Sequence, residues 1–326
     1  MSTTGPHKVM LADGKYELTE VAGQGGMATV WKAIMRGAAG FSRYVAIKHI
    51  LRKFHTNDEF VKMFVEEARV GSQLQHANIV QTFDFGEDSN GVYFLVQEWV
   101  EGVDLARYLE GHEQAGQRGS WPLLVAICVE TLRGLSAAHE RVDGHGHVAP
   151  VIHRDVTPHN ILIGTNGIVK ITDFGLSRAM DRLQMTHPDV IKGKLRYLAP
   201  EVTMGQPATV QSDLFGLAIV LWESLAGRPL YHGNTDAEVF LSARKAEIPP
   251  LGRLRPDLPG TLVEVLDVAL AHEPGQRFAS ARELLRALTS QLRLVSESTD
   301  AFALSRSVLQ ARGWLGLPEP RPVPPA

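Results

Sequence analysis

The sequence is short of several things, and each shortage closes off a class of protein. It has one cysteine, Cys128, in 326 residues. No internal disulfide can form, and a reduced, cytoplasmic setting is expected. Cys128 lies in the apolar run "PLLVAICVETL", where a thiol behaves as a small buried hydrophobe rather than a nucleophile. Positive charge is not in excess. The net charge of −3 argues against a broad surface for nucleic acid or anionic membrane. Long hydrophobic runs are missing too. The longest, "LFGLAIVLW", falls far below the roughly 20 residues a bilayer-spanning helix needs. The opening "MSTTGPHK" has no apolar core of a secretory signal. No membrane segment is therefore expected within the chain, and an anchor would have to lie beyond residue 326. No internal repeat is visible.

What remains is ordinary globular composition, 44% hydrophobic and 21% charged, enough for two lobes. From Tyr16 to about Val100 the pattern is that of strands, with "YELTEV", "TVWKAI", "YVAIKHI" and "VYFLVQEWV". One helical segment, Asp58 to Leu74, interrupts them. From Asp104 onward helical patterns dominate, and "SDLFGLAIVLWESLAG" is apolar nearly all round, as a helix buried at the centre of a lobe must be. The expected class is α+β, with a small β-rich lobe and a larger helical one. The organisation expected is an extension over 1–13, a main domain over 14–293 (lobes meeting near residue 100), and a C-terminal short helix and tail over 294–326. The last ten residues, "LPEPRPVPPA", hold five prolines and read as an extended linker or a disordered tail.

Four local patterns carry chemistry. The glycine cluster "GQGGMATV", Gly23, Gln24, Gly25 and Gly26 through to Val30, suits close approach to phosphates. A dinucleotide-binding fold would need a helix after the glycines, but "TVWKAIM" is strand-like. Lys48 ends "VAIK" in a strand. On the following helix Glu67 shares a face with Phe60, Met63, Phe64 and Leu74, whereas Glu66 lies with Lys62, Arg69 and Gln73. A carboxylate on an apolar face requires a cation, and Lys48 is the natural partner. Further on, "HRDVTPHN" supplies Asp155 and Asn160, and "DFG" supplies Asp173. Asp173 and Asn160 offer oxygen ligands suited to a hard divalent cation, and Asp155 can orient a hydroxyl.

With these in order, the chain resembles the eukaryotic-type (Hanks-type) protein serine/threonine kinases, particularly bacterial members. The resemblance covers roughly residues 14–293 and adds "EEARVGSQLQHANIV", "VQEWVEGVDL", "YLAPE", "SDLFGLA" and "AHEPGQRF" to the motifs above. It implies ATP and Mg²⁺, or Mn²⁺ in its place, as cofactors. Its expected partners are protein substrates with serine or threonine acceptors, the chain itself included by autophosphorylation. It further implies that Glu98 and Val100 offer backbone groups to adenine, with Gln97 as gatekeeper. Asp104 would reach the ribose, and Val30, Ala46 and Leu162 would enclose the base. Glu201 would pair with Arg277, and Asp213 would brace the catalytic loop.

The chain departs from the family at three places. Thr157 stands where the family has a phosphate-contacting lysine, and Lys194 stands where it has a threonine that touches that lysine. The reading favoured is an exchange of partners, with Lys194 bringing the cation from the other side. The plain alternative is an uncompensated loss and a catalytically weak or pseudokinase scaffold. A kinase-fold enzyme acting on small molecules is disfavoured by "APE". The loop "ERVDGHGHVAP" is longer than usual and adds His145 and His147 near His139 and His153. A polar surface loop is the favoured reading over a metal site. Between Gly175 and Gly193 only Ser177 and Thr186 carry hydroxyls. Thr186 is the expected phosphorylation site, and its phosphate would pair with Arg154.

Overall fold

The computed structural model describes residues 9–174 and 195–324. Its first lobe is a six-stranded antiparallel sheet in the order β1-β2-β3-β4-β6-β5. The strands are Met10–Leu11 (β1), Tyr16–Gln24 (β2), Ala28–Arg36 (β3), Ser42–Ile50 (β4), Thr82–Glu87 (β5) and Tyr93–Glu98 (β6). Strand alternation sets what each face does. Val45 and Ile47 of β4 are fully buried, packing with Tyr16, Ala33 and Val96. Ala46 and Lys48 project to the other face. Helix α1, Asp58–Ser72, starts on Asn57, whose side chain accepts from the amides of Glu59 and Phe60. It buries Phe60, Met63 and Phe64 against Ile50, Val92 and Leu95. It ends two residues short of the expected Leu74, because Gln73 caps it and Leu74 turns into the core.

Residues 99–101 join the lobes. A three-stranded sheet follows, β7 Gly102–Asp104, β8 Ile161–Gly164 and β9 Val169–Ile171, in that order. The helices of the second lobe are α2 Leu105–Gln114, α3 Trp121–His139, α4 Pro200–Thr203, α5 Val210–Ala226, α6 Asp236–Lys245, α7 Leu251–Leu254, α8 Gly260–Ala269, α9 Ala281–Leu292 and α10 Ala301–Trp314. Helix α5 is the expected central helix, with Leu214 to Trp222 buried without a break. By length and apolarity α3 passes as a membrane span, but 72% of that stretch is buried inside the lobe. Cys128 sits within it, 1% exposed, and burial pushes its thiol up to about 12, so it is inert. Helix α10 is not an appendage. Leu304, Val308 and Ala311 belong to the main core of this lobe.

Candidate active site

The pairing registers assemble the site. In the β3–β4 pair Val30 faces Lys48 and Lys32 faces Ala46, so these four side chains share the sheet face turned to the second lobe. Across the cleft, Ile161 pairs with Ile171. That register sets Asn160, just before β8, opposite Thr172, just after β9, and the Thr172 amide donates to the Asn160 carbonyl at 3.0 Å. Asp173 follows at once. Two motifs 13 positions apart in sequence thus become neighbours through one short hairpin.

Lys48 is the centre of the electrostatics. Its Nζ donates to Glu67 Oε1 at 2.8 Å and to Asp173 Oδ1 at 3.0 Å. Lys48 and Glu67 are 7% and 2% exposed. Burial works against the ammonium, but the charges of Asp173 and Glu67 and their hydrogen bonds more than offset it, so Lys48 stays protonated. Burial raises the Glu67 carboxyl to about 7, with Lys48 pulling the other way. Glu66 behaves as its polar face predicts. It pairs with Arg69 at 2.7 Å on the surface.

Asp155 is held by a braced loop. Asn160 Nδ2 donates to its carbonyl at 2.8 Å and to its Oδ2 at 3.0 Å. With the amide nitrogen so used, Asn160 Oδ1 can serve only as an acceptor. Arg154 has φ of 68° and Asp173 has φ of 66°, left-handed values that cost a non-glycine residue about 1–3 kcal/mol. Asp213 offsets the strain at Arg154. From the start of α5 its carboxylate accepts the amides of His153 and Arg154, both at 2.7 Å, and bonds His139 Nε2 at 2.8 Å. His153 Nε2 in turn lies 2.8 Å from the Thr172 carbonyl. His139 and His153 are therefore brace residues. His145 and His147 sit in an exposed turn, and no cluster of three metal-binding side chains occurs among the described residues. Thr157 is 5% exposed. Lys194, Thr186, Ser177, Gly175 and Gly193 lie outside the described residues.

The remaining predicted residues lie on β3, β4, β6, β8 and the segments next to them. Val30, Ala46 and Leu162 are each half-buried, although Val45, Ile47, Ile161 and Ile163 beside them are fully buried. Each of the three aliphatic side chains therefore keeps an accessible face, as a wall residue of a binding site must. Gln97 is buried near the end of β6, Glu98 is the last residue of that strand, and Val100 lies on the joining segment. The Glu98 side chain itself pairs with Lys170 at 3.0 Å. Asp104 Oδ1 caps α2, accepting from the Arg107 amide, and Oδ2 lies 3.5 Å from His159. The tip of the β2–β3 hairpin holds Gly25 and Gly26, closed by the Gly25 amide donating to the Ala28 carbonyl at 2.9 Å. Neither Gly23 nor Ala28 has positive φ, so an alanine at position 28 fits the strand without backbone strain. A Cβ on Gly23 would meet nothing within 4 Å. The protein's own packing does not require glycine there, which fits a demand made by a ligand such as a nucleotide phosphate. Glu201 and Arg277 form a buried two-point pair, 2.8 Å in both bonds, and Arg277 also donates to the carbonyls of Ala271 and His272.

A β-rich lobe joined to a helical lobe, with a buried lysine–carboxylate cluster on one side of the cleft and a braced acidic loop on the other, defines a protein kinase domain. The chain belongs to the protein kinase family, whose protein kinase domain model matches residues 16–288. It is 35% identical over 282 residues to the Tyrosine-protein kinase MasK of Myxococcus xanthus, covering 86% of this chain and 43% of that protein. It is 35% identical over 272 residues to the Serine/threonine-protein kinase PrkC of Bacillus subtilis, covering 83% and 39%. Thus the chain spans less than half the length of either relative. Among solved structures it is similar to the Mycobacterium tuberculosis PknI kinase domain, with 26% identity, a TM-score of 0.65, and coverage of 89% of this chain and 100% of that one.

Proposed function

We propose that this chain is an active ATP-dependent protein kinase that transfers phosphate to serine or threonine hydroxyls, including its own, in the cytoplasm. The observation that carries the proposal is Lys48 bonded at once to Glu67 and Asp173. One cation so held joins α1, the sheet and the segment after β9 in a single arrangement, which a degenerate scaffold has no need to keep. In this reading Lys48 holds the nucleotide phosphates under Gly23, Gln24, Gly25 and Gly26. Val30, Ala46 and Leu162 enclose adenine, with backbone groups of Glu98 and Val100 on its edge and Gln97 behind it, and Asp104 meets the ribose. Asp155 orients the acceptor hydroxyl and takes its proton. Asn160 and Asp173 would hold Mg²⁺ or Mn²⁺, which would neutralise charge on the transferred phosphoryl group. Their donor set fits such an ion: one carboxylate and one amide oxygen leave room for the waters and phosphates Mg²⁺ prefers.

The acceptor class rests on the loop. MasK is named a tyrosine kinase and PrkC a serine/threonine kinase, but "HRDVTPHN" lacks the Ala-Ala-Arg-type sequence that marks tyrosine kinases. Incubating the purified protein with Mg·ATP and mapping phosphopeptides tests both activity and acceptor. Phosphate is expected on Thr186, where it would pair with Arg154. Unmodified Thr186 in the most active preparation would overturn that assignment, and phosphate confined to tyrosine would overturn the acceptor class.

The exchange of Thr157 and Lys194 is tested separately. If Lys194 supplies the missing cation, Lys194→Thr removes a charge-assisted contact of about 1.5–3 kcal/mol, a roughly tenfold to hundredfold loss in kcat. Thr157→Lys alone is also expected to be harmful, because Thr157 is 5% exposed and two ammonium groups would compete for one pocket. The double variant Thr157→Lys/Lys194→Thr is expected to recover much of the activity. A double loss equal to the sum of the single losses would mean that the two positions are not coupled.

A further inference from the structure

We propose that residues 301–324 form an intramolecular strap across the hinge, tying the second lobe to the first and setting the width of the nucleotide slot. The proposal begins with how tightly α10 is seated. Its Ala311 carbonyl lies so near Gly111 of α2 that a Cβ there would stand 2.8 Å away, and at Gly167 a Cβ would stand 1.8 Å from the Ala301 carbonyl. Both glycines are thus required by α10. Ser307 and Tyr108 share a buried hydrogen bond of 2.6 Å, Ser305 donates to the Thr165 carbonyl, and Trp314 meets His112 edge to face.

From this seat Arg312 reaches the hinge. Its Nη1 donates to the Gly102 carbonyl at 2.8 Å, and its Nη2 donates to the Pro318 carbonyl at 2.6 Å and lies 3.4 Å from Glu101 Oε1. Glu101 is a junction. Its Oε2 accepts from the Trp99 indole and from Lys32 of β3, each at 2.9 Å. Burial disfavours its charge, but those bonds and Arg312 hold its pKa below the usual carboxylate range. Lys32 completes the crossing, with its ammonium 4.3 Å above the Tyr44 ring and 4.9 Å above that of Trp99. Because Lys32 pairs with Ala46, this network borders the slot assigned to adenine.

The proline-rich tail supplies a second crossing. Expected as an extended linker or a disordered tail, it lies against β4: Tyr44 donates to the Pro322 carbonyl at 3.4 Å and Ser42 to the Pro324 carbonyl at 2.9 Å. Proline has no amide donor and a stiff extended backbone, so such a segment presents carbonyl acceptors and loses little entropy on docking. Ser42 and Tyr44 offer hydroxyl donors at the matching end of the strand.

The test compares Arg312→Met, Tyr44→Phe and a chain ending at Leu317 with the intact chain. Hydrogen exchange is read at residues 42–46 and 99–102, and nucleotide affinity with a fluorescent ATP analogue. Arg312→Met is expected to speed exchange in both segments and weaken nucleotide binding about fivefold, while kcat at saturating ATP changes less than about twofold, the signature of altered ground-state binding. Tyr44→Phe and the shortened chain are expected to speed exchange at 42–46 with a smaller loss of affinity. Unchanged hinge exchange in Arg312→Met, or a rise confined to α10 itself, overturns the strap. The affinity arm rests on the proposed nucleotide site. If the intact chain binds no nucleotide, that site assignment fails, and the exchange arm still decides the strap.

Discussion

Asp155→Asn is expected to lower kcat by about 10²- to 10⁴-fold, the contribution of a positioned general base, while leaving nucleotide affinity and fold nearly unchanged. The geometry separates these effects. Asparagine keeps the size of the side chain and an oxygen that can accept from Asn160 Nδ2, as Asp155 Oδ2 now does at 3.0 Å. The backbone bond from Asn160 to the residue-155 carbonyl is untouched, and the loop remains anchored by Asp213 through His153 and Arg154. What asparagine loses is the ability to take a proton from the acceptor hydroxyl. Steady-state turnover on one peptide substrate, together with analogue binding, checks the split. Turnover near that of the unaltered enzyme would remove Asp155 from the reaction, and parallel loss of nucleotide binding would mean that the loop had collapsed.

The parts of this site that could be read in the sequence are those whose chemistry fixes residue type and order. A buried carboxylate needs a cation, so the helical face of α1 singled out Glu67, and the structure places it 2.8 Å from Lys48. The central helix was legible because "LFGLAIVLW" leaves no polar face for water. Other features left no such trace. Arg312 and Gly102 are 210 positions apart, and nothing in the spacing of either points to the other. Gly111 and Gly167 look like ordinary turn or helix glycines until α10 lies against them. The docking of the tail depends on hydroxyls at Ser42 and Tyr44, which a strand pattern treats as interchangeable polar positions. Helix ends also escaped, since Gln73 stops α1 through local capping rather than through periodicity.

Lys48→Met is expected to lower kcat/KM for ATP at least a hundredfold, since it removes the cation proposed to hold the phosphates and charge-assisted contacts contribute about 1.5–3 kcal/mol each. Two features of the cluster decide how the loss appears. Methionine is nearly as long as lysine, so the cavity left is small, but Glu67 is 2% exposed and would lose its cationic partner. Breaking a buried pair in this way commonly costs about 3–5 kcal/mol of stability. Here the cost is expected to be smaller, because burial has already raised the Glu67 carboxyl to about 7, and it can take up a proton instead of remaining an unpaired charge. Glu67→Gln removes the charge while keeping a carbonyl that can accept from Lys48, and a milder loss in kcat/KM is expected, about tenfold, as for one weakened contact. The decisive measurement is the pair of changes together. If Glu67 acts only by positioning Lys48, then adding Glu67→Gln to Lys48→Met costs nothing further in kcat/KM, and thermal melting of the double variant is no worse than that of Lys48→Met alone, because the buried carboxylate has gone with its partner. If the two losses simply add, Glu67 acts independently of Lys48. The contact between them would then be a structural pair rather than the device that aims the lysine.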